Sequence, residues 1–357
     1  MQILKSRLFL HTAIALASLC LVEAANAGDC STPDTNATIT TCYFDLTQSP
    51  SSTDPAASTV TPAVLNGGIF SVPDSSGTFS STPIVGTGVL NPFVRIQGAN
   101  GAHATGVEAG YNTGDSVHTN DPSPVNLLDD HDNGNTNWNH AIQLGSLATV
   151  NVGGVDYYQF ILDINEQGNT NNAGLSLDEF KLFYADSGDI SSTSGTCSDG
   201  AGTGFSDCGI GGGAQLAYNM DGQWGGDASI LMNYNNFSGS GYGVDLQALV
   251  PVSNFAGASD SSYVYLYSKF GATGNTCKSN NGNGTSPCNT LDKNGNEVPI
   301  SQQAGNLSML ADAGFEEWST ICKTGGCLTV PEPETLALLG IGIIGMVMTR
   351  RRVAAAA

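Results

Sequence analysis

The sequence predicts an all-β fold, a β-sandwich-like body stapled by local disulfides, and three observations predict it. Charged residues make up only 12% of the chain, while 45 glycines accompany abundant Ser, Thr and Asn, a composition suited to short strands joined by many turns. The body carries no long Ala/Leu/Glu/Lys-rich stretch of helical character. Runs of β-branched and aromatic residues recur, each bounded by turn-forming residues.

The strand signals come in order. Val89 to Ile96 is apolar and β-branched, interrupted at Pro92. Tyr157 to Leu162 is a strong strand signal. Phe180 to Tyr184 alternates less cleanly. Ile230 to Tyr234, Val244 to Val250 and Tyr263 to Phe270 complete the set. In the last, a period of two puts Tyr263, Tyr265 and Tyr267 on one face and Val264 and Leu266 on the other. No regular repeat is visible. The Ser/Thr/Pro-rich segment 28–62 reads as an N-terminal segment whose part from Thr47 to Thr61 is a flexible linker. Residues 63–329 read as the β-rich extracellular body.

Both ends fall outside the fold. Lys5 and Arg7 precede an apolar run from Leu8 to Val22, and Ala25-Asn26-Ala27 then supplies the small residues a signal peptidase reads. Residues 1–27 are therefore expected to be a signal peptide with a helical apolar region, cleaved after Ala27. At the other end, Val330-Pro331-Glu332-Pro333 is stiff and extended, because each proline fixes its own φ and restricts the residue before it. A 13-residue apolar run from Leu336 to Met348 follows, then the basic cluster Arg350-Arg351-Arg352. The run is shorter than the roughly 20 residues of a stable span, which suits a short apolar helix anchoring only transiently in the inner membrane. The arginines and the end of the tail, residues 353–357, stay cytoplasmic under the positive-inside rule.

Charge excludes some partners. Of 32 acidic residues all but Glu23 lie between Gly28 and Thr349, against six basic ones: Arg95, Lys181, Lys269, Lys278, Lys293 and Lys323. So acidic a surface repels nucleic acid and anionic lipid. Eight cysteines remain after Cys20 leaves with the signal peptide, an even number suited to an oxidising compartment. They fall into four close pairs, Cys30 with Cys42, Cys197 with Cys208, Cys277 with Cys288 and Cys322 with Cys327. Each pair brackets a turn-rich loop, so local pairing is the simplest expectation.

The C-terminal block from Val330 to Arg352, with its Pro331-Glu332-Pro333, apolar run and arginines in that order, closely resembles the PEP-CTERM sorting signal. The resemblance implies recognition by an exosortase, a membrane cysteine transpeptidase. It also implies export in a Gram-negative bacterium, with the protein held at the inner membrane and then passed to the cell surface or exopolysaccharide matrix. Two inner stretches resemble, more loosely, segments that recur in some proteins of this kind: Leu162 to Glu166 followed by Leu175 to Phe180, and Ala313 to Trp318.

Two acidic clusters have oxygen ligands suited to Ca2+, the one cofactor the sequence suggests. Asp163-Ile164-Asn165-Glu166-Gln167-Gly168 resembles the first half of an EF-hand loop, but Gly174 stands where the bidentate glutamate belongs. A sandwich that gathers Asp163, Asn165, Asp178 and Glu179 around one cation is the expectation to test. Asp129-Asp130-His131-Asp132 is the second cluster, set before the turn dipeptide Asn133-Gly134. For both, the alternative is a solvated turn. Neither H-E-x-x-H nor G-x-S-x-G occurs, and Gly209 to Gly213 lacks the lysine of a phosphate-binding loop. Trp138, Trp224 and Trp318, with the tyrosines of 263 to 267, suit either core packing or sugar stacking. Asn36, Asn236, Asn283 and Asn306 stand in N-x-S/T sequons. The expected function is a non-catalytic structural or interaction role at the surface or in the matrix, with signal peptidase and exosortase as export partners and exopolysaccharide as a further one. A calcium-assisted carbohydrate-binding module is the alternative, and a secreted hydrolase a more distant one.

Overall fold

The computed structural model describes residues 41–47, 62–72, 92–96, 106–114, 139–166, 168, 171–194, 209–221, 227–236, 244–279, 288–291, 297–311 and 314–323. The signal peptide, the Asp129–Asp132 cluster, Trp138, Trp224, Asn36, Asn283, Cys30, Cys197, Cys208, Cys327 and the C-terminal block lie outside them. Among the described residues no helix is long and apolar enough to cross a membrane.

The fold is all-β. Its strands are β1 (Thr41–Asp45), β2 (Ala63–Leu65), β3 (Gly68–Ser71), β4 (Val94–Ile96), β5 (Glu108–Tyr111), β6 (Ile142–Gln143), β7 (Thr149–Val152), β8 (Val155–Asp163), β9 (Gly174–Ala185), β10 (Thr193–Ser194), β11 (Gly209–Ile210), β12 (Gln215–Asn219), β13 (Asp227–Asn233), β14 (Leu246–Pro251), β15 (Tyr263–Phe270), β16 (Asn289–Leu291), β17 (Glu297–Pro299) and β18 (Glu316–Thr320). They form two seven-stranded sheets and two small ribbons, β10–β11 and β16–β17. One large sheet runs β1-β13-β9-β15-β5, with β12 on β9 and β6 on β15; the other runs β2-β3-β14-β8-β18-β4, with β7 on β8. The second sheet is antiparallel throughout, whereas the first carries one parallel pair, β1 on β13.

The two sheets share one core. Leu175, Leu177, Phe180, Leu182, Ile230, Val264 and Leu266 of the first sheet cluster with Phe70, Phe160, Leu162, Leu246, Ala248 and Trp318 of the second. Phe180 is its aromatic centre. Its ring centroid lies 4.9 Å from that of Trp318, 5.5 Å from Phe70 and 6.1 Å from Phe160, within the range of favourable aromatic contacts. Trp318 is fully buried and its indole N–H donates to Ser268 Oγ at 3.0 Å, so its polar end is satisfied as burial requires.

The tyrosine pattern of β15 is realised. Val264 and Leu266 enter the inter-sheet core, while Tyr265 and Tyr267 join Ala109, Tyr111, Phe183, Ala185, Ile190 and Ile210 on the outer face. That second cluster explains why Phe180 to Tyr184 alternates poorly in sequence. Both faces of β9 are covered, so both carry apolar residues.

Two expectations are corrected. The segment read as preceding the body contributes a strand, since β1 pairs with β13 in parallel from Thr41↔Asp227 to Asp45↔Leu231. Thr47, read as the start of a linker, is buried and donates through its hydroxyl to Asp45 Oδ1 at 2.6 Å; residues 48–61 lie outside the described ones. Of the expected disulfides, Cys277–Cys288 forms, with a Cα–Cα distance of 5.2 Å. It anchors a third cluster of Ala173, Leu231, Ile300, Ala304, Leu307 and Met309 against β13. Cys42 and Cys322 are also disulfide-bonded.

Trp318→Ala is expected to lower stability by about 3–5 kcal/mol, the usual loss for emptying a large aromatic site. Chemical denaturation checks it, and a loss below about 1 kcal/mol would show that the core closes around the gap.

Candidate functional site

The acids singled out from the sequence do not come together as one ligand set. Asp163 ends β8 in one sheet, whereas Asp178 and Glu179 lie on β9 in the other. Asn165 is exposed. Among the described residues no three His, Cys, Asp or Glu side chains are disposed to hold a metal ion. Each acid has a different environment, and the local backbone dictates it.

Asp178 is the residue most tightly held. β9 and β15 pair with Glu179 opposite Lys269 and Leu177 opposite Phe270, so Asp178 is the extra residue of a β-bulge. Its carboxylate accepts five hydrogen bonds: from Ser176 Oγ (2.8 Å), Ser229 Oγ (2.7 Å), Ala272 N (2.6 Å), Thr273 N (3.2 Å) and Thr273 Oγ1 (2.8 Å). It thus ties β9 to β13 and to the turn after β15. That turn is tight. Gly271 has φ 83°, and a Cβ there would stand 1.9 Å from Gly106 O, so only glycine fits.

Beyond the bulge, Glu179 and Lys181 face outward, yet both are buried and ion-paired at 2.9 Å. Asp221 lies beside Glu179. Burial first, then Glu179, pushes the Asp221 carboxyl up to about 9, while its bond from Ala228 N at 3.0 Å acts the other way. The buried Tyr267 hydroxyl is raised for the same reasons, burial first and the charges of Glu179 and Asp221 after it.

Asp163 pairs with Asp245 at the end of β8. Burial raises both carboxyls, and Ile164 N donates to Asp245 Oδ2 at 2.7 Å. The third acidic group lies between the sheets: Glu108 of β5, Glu166 after β8 and Glu316 of β18, all buried. Glu316 is raised well above the ordinary carboxylate range by burial, then by Glu108, then by Glu166. This nest brings together the two stretches that resemble recurring segments, since Gly314, at φ 77°, packs so closely that an added Cβ would meet Asn165 O at 2.1 Å. Glu108 and Glu316 went unnoticed in the sequence because nothing local marks them; only sheet pairing makes them neighbours.

Other candidates resolve as packing. Trp318, Tyr265 and Tyr267 are buried and offer no stacking platform. The Asn236 amide donates to the Thr47 carbonyl and accepts from Gln303 Nε2 at 3.4 Å, so that sequon is engaged within the fold. Asn306 Oδ1 accepts from Ser279 Oγ at 3.4 Å.

Asp178→Ala is expected to lower stability by at least about 3 kcal/mol, because buried donors lose a charged acceptor. Asp178→Asn should fall between, since its amide nitrogen cannot accept; equal unfolding midpoints for the three proteins would remove Asp178 from this role. Asp221 has the opposite sign from an ordinary salt-bridged acid. Its raised carboxyl stabilises the fold fully below its usual value near 3.8, and that contribution is lost as pH rises through about 9. Asp221→Asn should therefore gain on the wild type steadily with pH across that window in urea unfolding, and a constant gap would contradict the assignment.

Comparison with known proteins bears on the C-terminal end. A family model, the PEP-CTERM protein-sorting motif, matches residues 329–352. No curated protein and no solved structure matches the chain. The motif supports an exported protein sorted by an exosortase, with membrane-associated processing. Its span covers Pro331-Glu332-Pro333, the apolar run and the arginines, and the chain therefore carries a PEP-CTERM protein-sorting motif at its C-terminus.

Proposed function

We propose that this chain is a non-catalytic structural or interaction protein of the cell surface or exopolysaccharide matrix, delivered there by its sorting motif. The observation that carries the reading is how closely that motif follows the folded body. β18 lies between β8 and β4, and beyond it Lys323 is still clamped. Its N–H donates to Ser146 O at 2.8 Å and its ammonium to Gly145 O at 2.9 Å. Only residues 324–328 separate it from the motif, a reach of at most about 22 Å fully extended. The body is thus held close to the membrane while the motif is engaged, and processing there would release an intact sandwich.

The character of the body supports the rest. Disulfides suit an oxidising exterior, and the excess of acidic over basic residues, −21 over the whole chain, favours solubility among like-charged chains. The buried acids described above are joined to strands and to one another, as a scaffold requires.

The test is expression of the full chain in a Gram-negative host with and without its exosortase. With the enzyme, a shortened form should reach the surface or matrix fraction. Without it, or with Glu332→Ala, the full-length form should stay with the inner membrane. Equal distribution in all three would reject sorting-dependent delivery. Glycosidase or esterase activity of the purified protein would reject the non-catalytic reading.

A further inference from the structure

The nest of Glu108, Glu166 and Glu316 lies outside the sorting motif. Glu316 lies on β18 opposite Ile96, two residues before the core-facing Trp318, so it shares the inward face of its sheet. Glu108 lies on β5 opposite Phe270. Its neighbours Ala109 and Tyr111 belong to the outer face in part by alternation, which turns Glu108 inward from the other sheet. The two carboxyls meet between the sheets.

Glu316 has no exposed surface, and among the described residues its carboxyl meets the Glu108 side chain and its own backbone N–H, with no well-formed hydrogen bond from another residue's N–H or hydroxyl. The charged groups acting on it are Glu108 from β5 and Glu166 from the segment after β8, both acidic. On the flanking strands its inward neighbours are the apolar Ile96 and Ile164. The nearest arginine in sequence register, Arg95, is engaged elsewhere, with Nε 3.4 Å from Glu317 Oε1 and its guanidinium 3.3 Å over the Phe315 ring. Two carboxylates side by side in a dry space cannot both ionise; one proton held between them turns repulsion into a strong O–H···O⁻ bond.

We propose that Glu316 keeps a proton between the two sheets, directed at the Glu108 carboxyl, and that this proton is a latch which holds that end of the sandwich closed in acid and loosens it as the medium turns alkaline. The latch joins β5, at one margin of the first sheet, to β18 inside the second. The sign follows from the direction of the shift. An acid raised on folding stabilises the fold fully below the ordinary glutamate range, and the contribution is lost as pH rises through its folded value.

The experiment is thermal unfolding of the full-length protein in mild detergent from about pH 5 to about pH 9, comparing wild type with Glu316→Gln. Glutamine keeps the size and a donor for Glu108 but cannot ionise. The wild type should melt at or above the variant in acid and fall several degrees below it in alkali. Asp163, Asp245 and Asp221 titrate in both proteins, so their share cancels in the difference. The infrared carbonyl band of a protonated carboxyl at neutral pH should weaken in the variant. Parallel melting profiles, or an unchanged carboxyl band, would overturn the proposal. So would calcium that raises melting of the wild type at alkaline pH and leaves Glu316→Gln unmoved, because a cation would then hold the pair. If Glu316→Gln fails to fold, Glu108→Gln is compared instead: Glu316 then meets an amide donor in place of a carboxyl, so the alkaline loss of melting temperature should shrink, and an unchanged profile would overturn the proposal.

Discussion

The carboxylate of Asp178 is the constraint around which the rest of the sandwich is arranged. Five donors converge on it from β9, β13 and the turn after β15. To reach them it occupies a bulge, and the bulge changes the alternation of β9. Leu175 and Leu177 face the core before it, Phe180 and Leu182 after it, so the inward spacing widens from two to three at that single point. Without the bulge, Phe180 would turn outward, and with it the aromatic centre that holds Trp318, Phe70 and Phe160. A buried polar contact thereby sets the register of an apolar core, which is how one residue's hydrogen bonds come to govern strands far from it in sequence.

The remaining buried acids follow from an imbalance in composition. With 32 acidic residues and 11 basic ones, few carboxylates that the fold buries can meet a cation. Asp178 solves this with neutral donors, and Glu179 with Lys181. Asp163 with Asp245, Asp221 with Glu179 and Glu316 with Glu108 instead meet another carboxyl. Such pairs are tolerable only while one member holds a proton. The usual expectation for an acidic protein, stability lost in acid, is therefore opposed here by groups whose contribution runs the other way.

How much was legible in the sequence varied with how local the signal was. β15 was readable residue for residue, because its two faces meet different chemistry and its tyrosines and aliphatics alternate. The Cys277–Cys288 pair was readable because proximity along the chain implies proximity in space. β9 was only half readable: it runs from Gly174 to Ala185, and its double-sided burial and its bulge both blur a period of two. Asp163, Asp178 and Glu179 looked like one ligand set because they lie close in sequence, yet consecutive strands in different sheets separate them. Glu108, Glu166 and Glu316 meet because β5 and β18 are placed by the whole topology, which no window of sequence contains. Glu316, which meets Glu166, lies 150 residues further along the chain.

The topology also bears on when the sorting motif can act. β18 is an interior strand, hydrogen-bonded to β8 on one side and β4 on the other, and it carries Trp318 into the core. The sandwich is incomplete until residues 316–320 are in place, and those residues lie just ahead of the motif at 329–352. A chain held at the membrane by its tail must therefore insert its last strand close to that tail. Once β18 is seated and Lys323 is clamped on Gly145 and Ser146, separation at the motif removes nothing that the described core uses. Tail processing and body stability are thereby decoupled: the strand that completes the fold lies on the body's side of the motif, and the address can be discarded without unfolding what it delivered.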